Sequence, residues 1–90
     1  MIVNEAWEKV REFLGNRKRA YQQCFNTGPG KTVLADLARF CRAEATCFDT
    51  DPRVHAALEG RREVWLRIMQ HLNVPIEELA RLYGQPKPKE

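Results

Sequence analysis

Six residues, TGPGKT at positions 27–32, are the stretch of this chain whose types and spacing come closest to known chemistry. They match the end of a phosphate-binding loop, where glycines let backbone N–H groups surround a phosphate while lysine and threonine meet phosphate and metal. The full pattern needs a glycine five residues before Gly30, and that position is Phe25. The preceding segment has helical periodicity, and no apolar strand ending in aspartate is present to hold magnesium. Nucleotide hydrolysis is therefore not expected. The stretch reads as an interhelical loop in which Gly28 or Gly30 takes a positive φ. A weaker role survives, with Gly30, Lys31 and Thr32 holding an anion at a helix N-terminus.

Cys24, Cys41 and Cys47 with His55 or His71 have the donor types of a tetrahedral zinc site. Their spacing is poor for one, with no close cysteine pair, so neither a metal site nor a cofactor is expected. Cys24 and Cys41 fall on apolar helix faces and read as small packed hydrophobes, whereas Cys47 reads as an exposed, reactive loop thiol. Neither histidine has a recognisable partner for activating a nucleophile, so both are expected at helix edges and no catalytic residue is assigned.

The charged residues offer two further readings. Arg17, Lys18 and Arg19 form a basic run that, with Arg11, Arg62 and Arg67, would make a phosphate-binding patch, or else a solvated helix face. Arg61 falls on an apolar stripe, where a guanidinium must be paired or reach outward. Asp36 is its expected partner, in an ion pair joining two helices; a binding role for Arg61 or Arg62 is the alternative. Gly60, inside a helix at a cost of about 1 kcal/mol relative to alanine, implies close approach of another helix.

The elements that must position these residues are all helical. DPRVHAALEGRREVWLRIMQHL, residues 51–72, has Asp51 as N-cap and Pro52 at the first helical position. Its stripe of Val54, Ala57, Leu58, Arg61, Val64, Trp65, Ile68 and Leu72 makes it the expected spine, roughly 30 Å long. Before it, Asn4 can cap a first helix with Trp7, Val10, Phe13 and Leu14 on one face; Gly15 is expected to end or kink it. Asn16 then caps a second helix carrying Ala20, Tyr21, Cys24 and Phe25, and Thr32 caps another carrying Val33, Leu34, Leu37, Phe40 and Cys41. Residues 44–50 read as a loop pinned by Phe48. A short last helix, PIEELARLY, ends at Gly84 with Ile76, Leu79, Ala80 and Tyr83 facing inward. The expectation is a single all-α bundle of four or five helices over residues 1–84, followed by a flexible Lys/Pro tail at 85–90.

Composition is consistent with that. Ninety residues, 43% hydrophobic and 30% charged, suit one small globular domain with a single core. Three cysteines, an odd number, point to reduced thiols. The net charge of +3 is too small to choose between a phosphate backbone and an acidic protein partner. No apolar run approaches the roughly 20 residues that cross a bilayer, and MIVNEAW has neither a basic start nor an apolar signal core, so neither membrane insertion nor secretion is expected.

The order AYQQCFNTGPGKTVLADLARFC, an acidic loop, then EGRREVWLRI resembles the small Bordetella-phage-type domain of tailed phages and prophages, over roughly residues 17–72. Tyr21, Phe25, Gly30, Val33, Leu34, Asp36, Leu37, Phe40, Cys41, Phe48, Gly60, Arg61, Arg62 and Leu66 carry the resemblance. It implies a product of phage structural-gene neighbourhoods, without an established activity. On this basis the expected function is non-enzymatic, through contact with a phage structural or assembly protein or a second copy, in the virion or the host cytoplasm. Exposed Trp7 or Tyr83 would anchor such a partner. The alternative is a nucleic-acid-binding module using Arg17, Lys18, Arg19, Arg62 and Lys87. A helix-turn-helix form of it is disfavoured by the apolar spine and the long TGPGK connection.

Overall fold

A computed structural model describes residues 5–84 as four α-helices with no strand among them. They are α1 (Glu5–Phe25), α2 (Gly28–Phe40), α3 (Pro52–Asn73) and α4 (Ile76–Gly84). The all-α bundle is as the periodicity implies. The Asn4 cap and the tail with Lys87 lie outside the described residues.

Gly15 neither ends nor kinks the first helix, because α1 runs unbroken through it for 21 residues. Gly15 is buried there, and a β-carbon on it would lie 3.6 Å from Ile76 Cδ1, at the start of α4. The glycine thus marks where α4 crosses α1, and a four-helix count replaces the fifth helix.

The turn between α1 and α2 is tighter than the sequence suggests. Only Asn26 and Thr27 separate the helices, and Thr27, in extended conformation, is the N-cap in place of Thr32. Its hydroxyl accepts from Gly30 N at 3.0 Å, and its carbonyl accepts from Lys31 N at 2.9 Å. Neither Gly28 nor Gly30 has positive φ. Gly30 is required for a different reason, since a β-carbon on it would lie 2.0 Å from the Cys24 carbonyl oxygen and 2.8 Å from Phe25 Cα. The absent side chain lets α2 fold back against the end of α1.

α2 ends in a Schellman turn. Arg42 N donates to Arg39 O at 3.1 Å and Ala43 N to Ala38 O at 2.9 Å, with Arg42 at φ 54°, where glycine is the usual residue. The loop that follows is pinned by Cys47, not by Phe48, which is 69% exposed. Cys47 is buried, its thiol directed at Leu58 O at 3.7 Å, and its carbonyl is 3.0 Å from His55 Nδ1. α3 opens as expected, with Asp51 accepting from Arg53 N at 2.9 Å and Pro52 in the first turn.

The hub is α1, which packs more extensively against the other three helices than α3, the expected spine, does. The molecule measures 54 × 38 × 14 Å. With helix axes 8–10 Å apart, the short dimension holds no more than two helix layers. Such a slab encloses little: the buried apolar side chains among the described residues are Leu14, Cys41, Cys47, Leu58, Ile68 and Leu79.

Candidate interaction surface

At the centre of the slab lies a polar residue that the sequence places at a helix edge. His71 is fully buried. Its ring stacks on Tyr21 of α1 at 4.3 Å between centroids and meets the Tyr83 ring of α4 edge-on at 5.7 Å. Nδ1 lies 2.8 Å from Arg67 O, and a carbonyl only accepts, so Nδ1 carries the proton. In that tautomer Nε2 accepts from the Tyr83 hydroxyl at 2.7 Å, and the hydroxyl oxygen accepts from Arg67 Nη2 at 2.8 Å. One imidazole therefore ties three helices together with its polar atoms satisfied. The available signal was spacing: His71 stands three residues after Ile68 and seven after Val64, on the apolar side of α3.

The basic run is dispersed by helical geometry. Lys18 reaches across to the end of α3, donating to Val74 O at 2.8 Å and His71 O at 3.2 Å, where a cation meets the negative end of the helix dipole. Arg17 lies over the Phe13 ring at 4.7 Å, and Arg19 bonds the Asn16 side chain. Arg11 pairs with Glu77 of α4 at 2.5 Å, and this bond holds the Glu77 carboxyl below its usual range. Arg62 donates to Arg42 O at 2.9 Å and Ala43 O at 3.4 Å, clamping the Schellman turn to α3. Lys18, Arg62 and Arg67 thus hold helices and turns together, whereas Arg17 and Arg19 remain exposed.

At the start of α2, the Thr27 cap already takes the Gly30 and Lys31 N–H groups, and Pro29 has none to give. Thr32 turns its hydroxyl back to Gly28 O at 3.3 Å. Lys31 stays exposed. Of the thiols, Cys41 packs inside as expected, but Cys24 is exposed and Cys47 buried, the reverse of the sequence reading. Among the described residues no three His, Cys, Asp or Glu side chains converge as metal ligands would. No helix there is long and apolar enough to cross a membrane.

The expected Asp36–Arg61 ion pair is not made. Arg61 lies over the Phe40 ring at 4.3 Å, a cation–π contact, and the ion pairs among the described residues are Arg11–Glu77 and Arg81–Glu78. Asp36 points to solvent because it lies on the outer side of α2, one turn before Phe40. Gly60 is not approached by another helix either, since nothing lies within 4 Å of where its β-carbon would be.

The slab also displays apolar side chains. Among the described residues ten large hydrophobic ones are 36–69% exposed, more than the six apolar ones that are buried. Trp7, Val10, Phe13 and Tyr83 lie on α1 and α4, where a groove of about 440 Å³ is floored by Leu14 and Ala80. Val33, Phe40, Val54 and Val64 are the exposed members of the predicted stripes of α2 and α3.

The family model described as Bbp19-like phage protein matches residues 21–83. The chain belongs to that family. The match starts at Tyr21 and ends at Tyr83, so it takes in both rings that enclose His71 as well as all of α2 and α3, and it leaves out the first four turns of α1. It also reaches beyond residue 72, where the sequence resemblance stops, to include most of α4. No curated protein and no solved structure matches the chain.

Proposed function

We propose that this phage-family protein works without catalysis, by protein–protein contact, as a virion-associated or assembly adaptor. The observation that carries this reading is the exposed apolar surface: ten large hydrophobic residues stand at the surface of a slab that buries six apolar ones. Val10, Phe13 and Tyr83 line one groove together, and an exposed apolar patch of that kind marks an association surface. Two of the cations a nucleic acid would use also favour it over that alternative, because Lys18 is engaged at the end of α3 and Arg62 at the Schellman turn. Tyr83, on the lining of the α1/α4 groove, and Trp7, exposed on α1, are the anchors such a partner would meet.

The test is mass spectrometry of purified particles from the encoding phage, induced from its host where it is a prophage. Copy number is counted against the major capsid protein. A fixed copy number, or stable co-purification with a capsid, connector or tail protein, is the expected result. A chain abundant in the infected cell but absent from particles and from every structural-protein complex overturns the reading. Salt-sensitive binding to DNA or RNA in the same lysate would put the basic residues back in that role.

A further inference from the structure

Asp36 and Arg61 are a complementary pair that the fold keeps apart. Neither makes a hydrogen bond or ion pair with a described residue. Both are exposed and both flank Phe40: Asp36 lies one turn before it on α2, and Arg61 covers its ring from α3. Val33, one turn before Asp36, and Val64, one turn after Arg61, extend the same stripes and are 51% and 54% exposed. The surface therefore carries an apolar strip with an acid on one helix and a base on the other.

A surface with that pattern is complementary to itself. In a two-fold interface, if residue i of one copy meets residue j of the other, j also meets i, so one unpaired acid and one unpaired base per copy make two ion pairs. We propose that the α2/α3 face is a symmetric interface between two copies of this chain, with Asp36 of each copy paired to Arg61 of the other around the two Phe40 rings.

Arg61 is pre-positioned for the role, since its guanidinium rests 4.3 Å over the Phe40 ring and makes no ion pair within the fold. The proposal deepens the contact reading, on which it rests, by naming a second copy as partner of this face and leaving the α1/α4 groove to a different protein.

The experiment is sedimentation equilibrium of the full chain over a concentration series, with Asp36→Arg, Arg61→Asp, the double variant and an equimolar mixture of the two singles. The expected wild-type mass is twice 10.5 kDa. Each single variant places like charges together twice and should weaken association on the order of 100-fold. The double variant and the mixture restore both pairs and should recover the dimer, which also shows that the singles are folded. Val33→Lys, at an exposed site, should lower dimerisation with unchanged helical circular dichroism. A wild-type monomer throughout the series overturns the proposal, as does a dimer indifferent to charge reversal or one that mixing fails to rescue. A monomer still found in particles removes this interface and leaves the adaptor role standing; a dimer absent from particles does the reverse.

Discussion

Replacing Gly30 with alanine tests the least forgiving contact in the fold. The new methyl group would lie 2.0 Å from the Cys24 carbonyl oxygen, with Phe25 Cα and Thr27 Oγ1 each at 2.8 Å. Two of these atoms are backbone, so relief requires α2 to move away from α1 by about 1 Å before the closest approach reaches 3.0 Å. Overpacking of this kind costs about 1–3 kcal/mol. The same movement pulls Gly30 N from the Thr27 hydroxyl, and loss of an N-cap costs about 1 kcal/mol. Alanine returns at most about 1 kcal/mol of helix propensity. The net loss is about 2 kcal/mol, and at about 4–8 °C per kcal/mol for a domain of this size, Tm should fall by about 8–16 °C. Thermal unfolding followed by circular dichroism measures it, with Gly60→Ala as internal control. Gly60 has open space around its β-carbon position, so that variant should gain about 1 kcal/mol. A Gly30→Ala protein as stable as wild type would refute the close α1–α2 approach, and a Gly60→Ala protein less stable than wild type would show a hidden neighbour.

Tyr83→Phe leaves His71 Nε2 buried without its donor and should cost about 1–3 kcal/mol in urea unfolding, whereas loss of an exposed hydroxyl would cost nothing measurable. Arg42→Gly relieves a left-handed residue worth about 1 kcal/mol, less what its bond to Thr46 O contributes, so a small rise in Tm is expected. The Arg11 hydrogen bond lowers the Glu77 pKa in the folded state, so this pair stabilises above the unfolded glutamate range and is lost as pH falls through the lowered value. Glu77→Gln should therefore lower the urea midpoint at neutral pH and match wild type in strong acid. Timed alkylation of the native protein should label Cys24 quickly and leave Cys41 and Cys47 protected, since the first is exposed and the others are buried.

The helices and most of their boundaries were legible because each is written locally. Asp51 and Pro52 start α3, Pro75 separates α3 from α4, and the stripes of α2 and α3 recur as a helix requires. What misled were residues whose meaning is set by how the helices pack. Gly15 and Gly30 look alike as helix breakers, yet Ile76 of α4 lies against one and the Cys24 carbonyl at the end of α1 against the other, and helical periodicity carries neither fact. Cys24 and Cys47 exchanged their expected environments for the same reason: α2 leaves one face of α1 open, while the loop after α2 folds inward onto Leu58. The family resemblance rested on the middle of the chain, where the stripes are regular, and stopped short of α4, whose place is fixed by Tyr83 reaching His71.

The charges show most clearly why the surface was harder to read than the fold. A basic run in a sequence suggests one patch, but successive helical residues point about 100° apart, so Arg17, Lys18 and Arg19 reach a ring, a helix end and an asparagine. Lys18 is thereby engaged at a helix end, while Arg17 and Arg19 stay exposed on other sides of α1. Conversely, the one ion pair that sequence logic assigned between two helices, Asp36 with Arg61, is unmade, and both groups are exposed beside Phe40. Burial inside one chain and burial between two chains impose the same pairing rule, because an apolar environment penalises an unpaired charge in either case. A pattern that satisfies the rule and finds no solution within the fold is therefore information about association. Because that inference rests on two exposed residues with no ion-pair partner within the fold, charge exchange between copies can test it separately from the stability of the bundle.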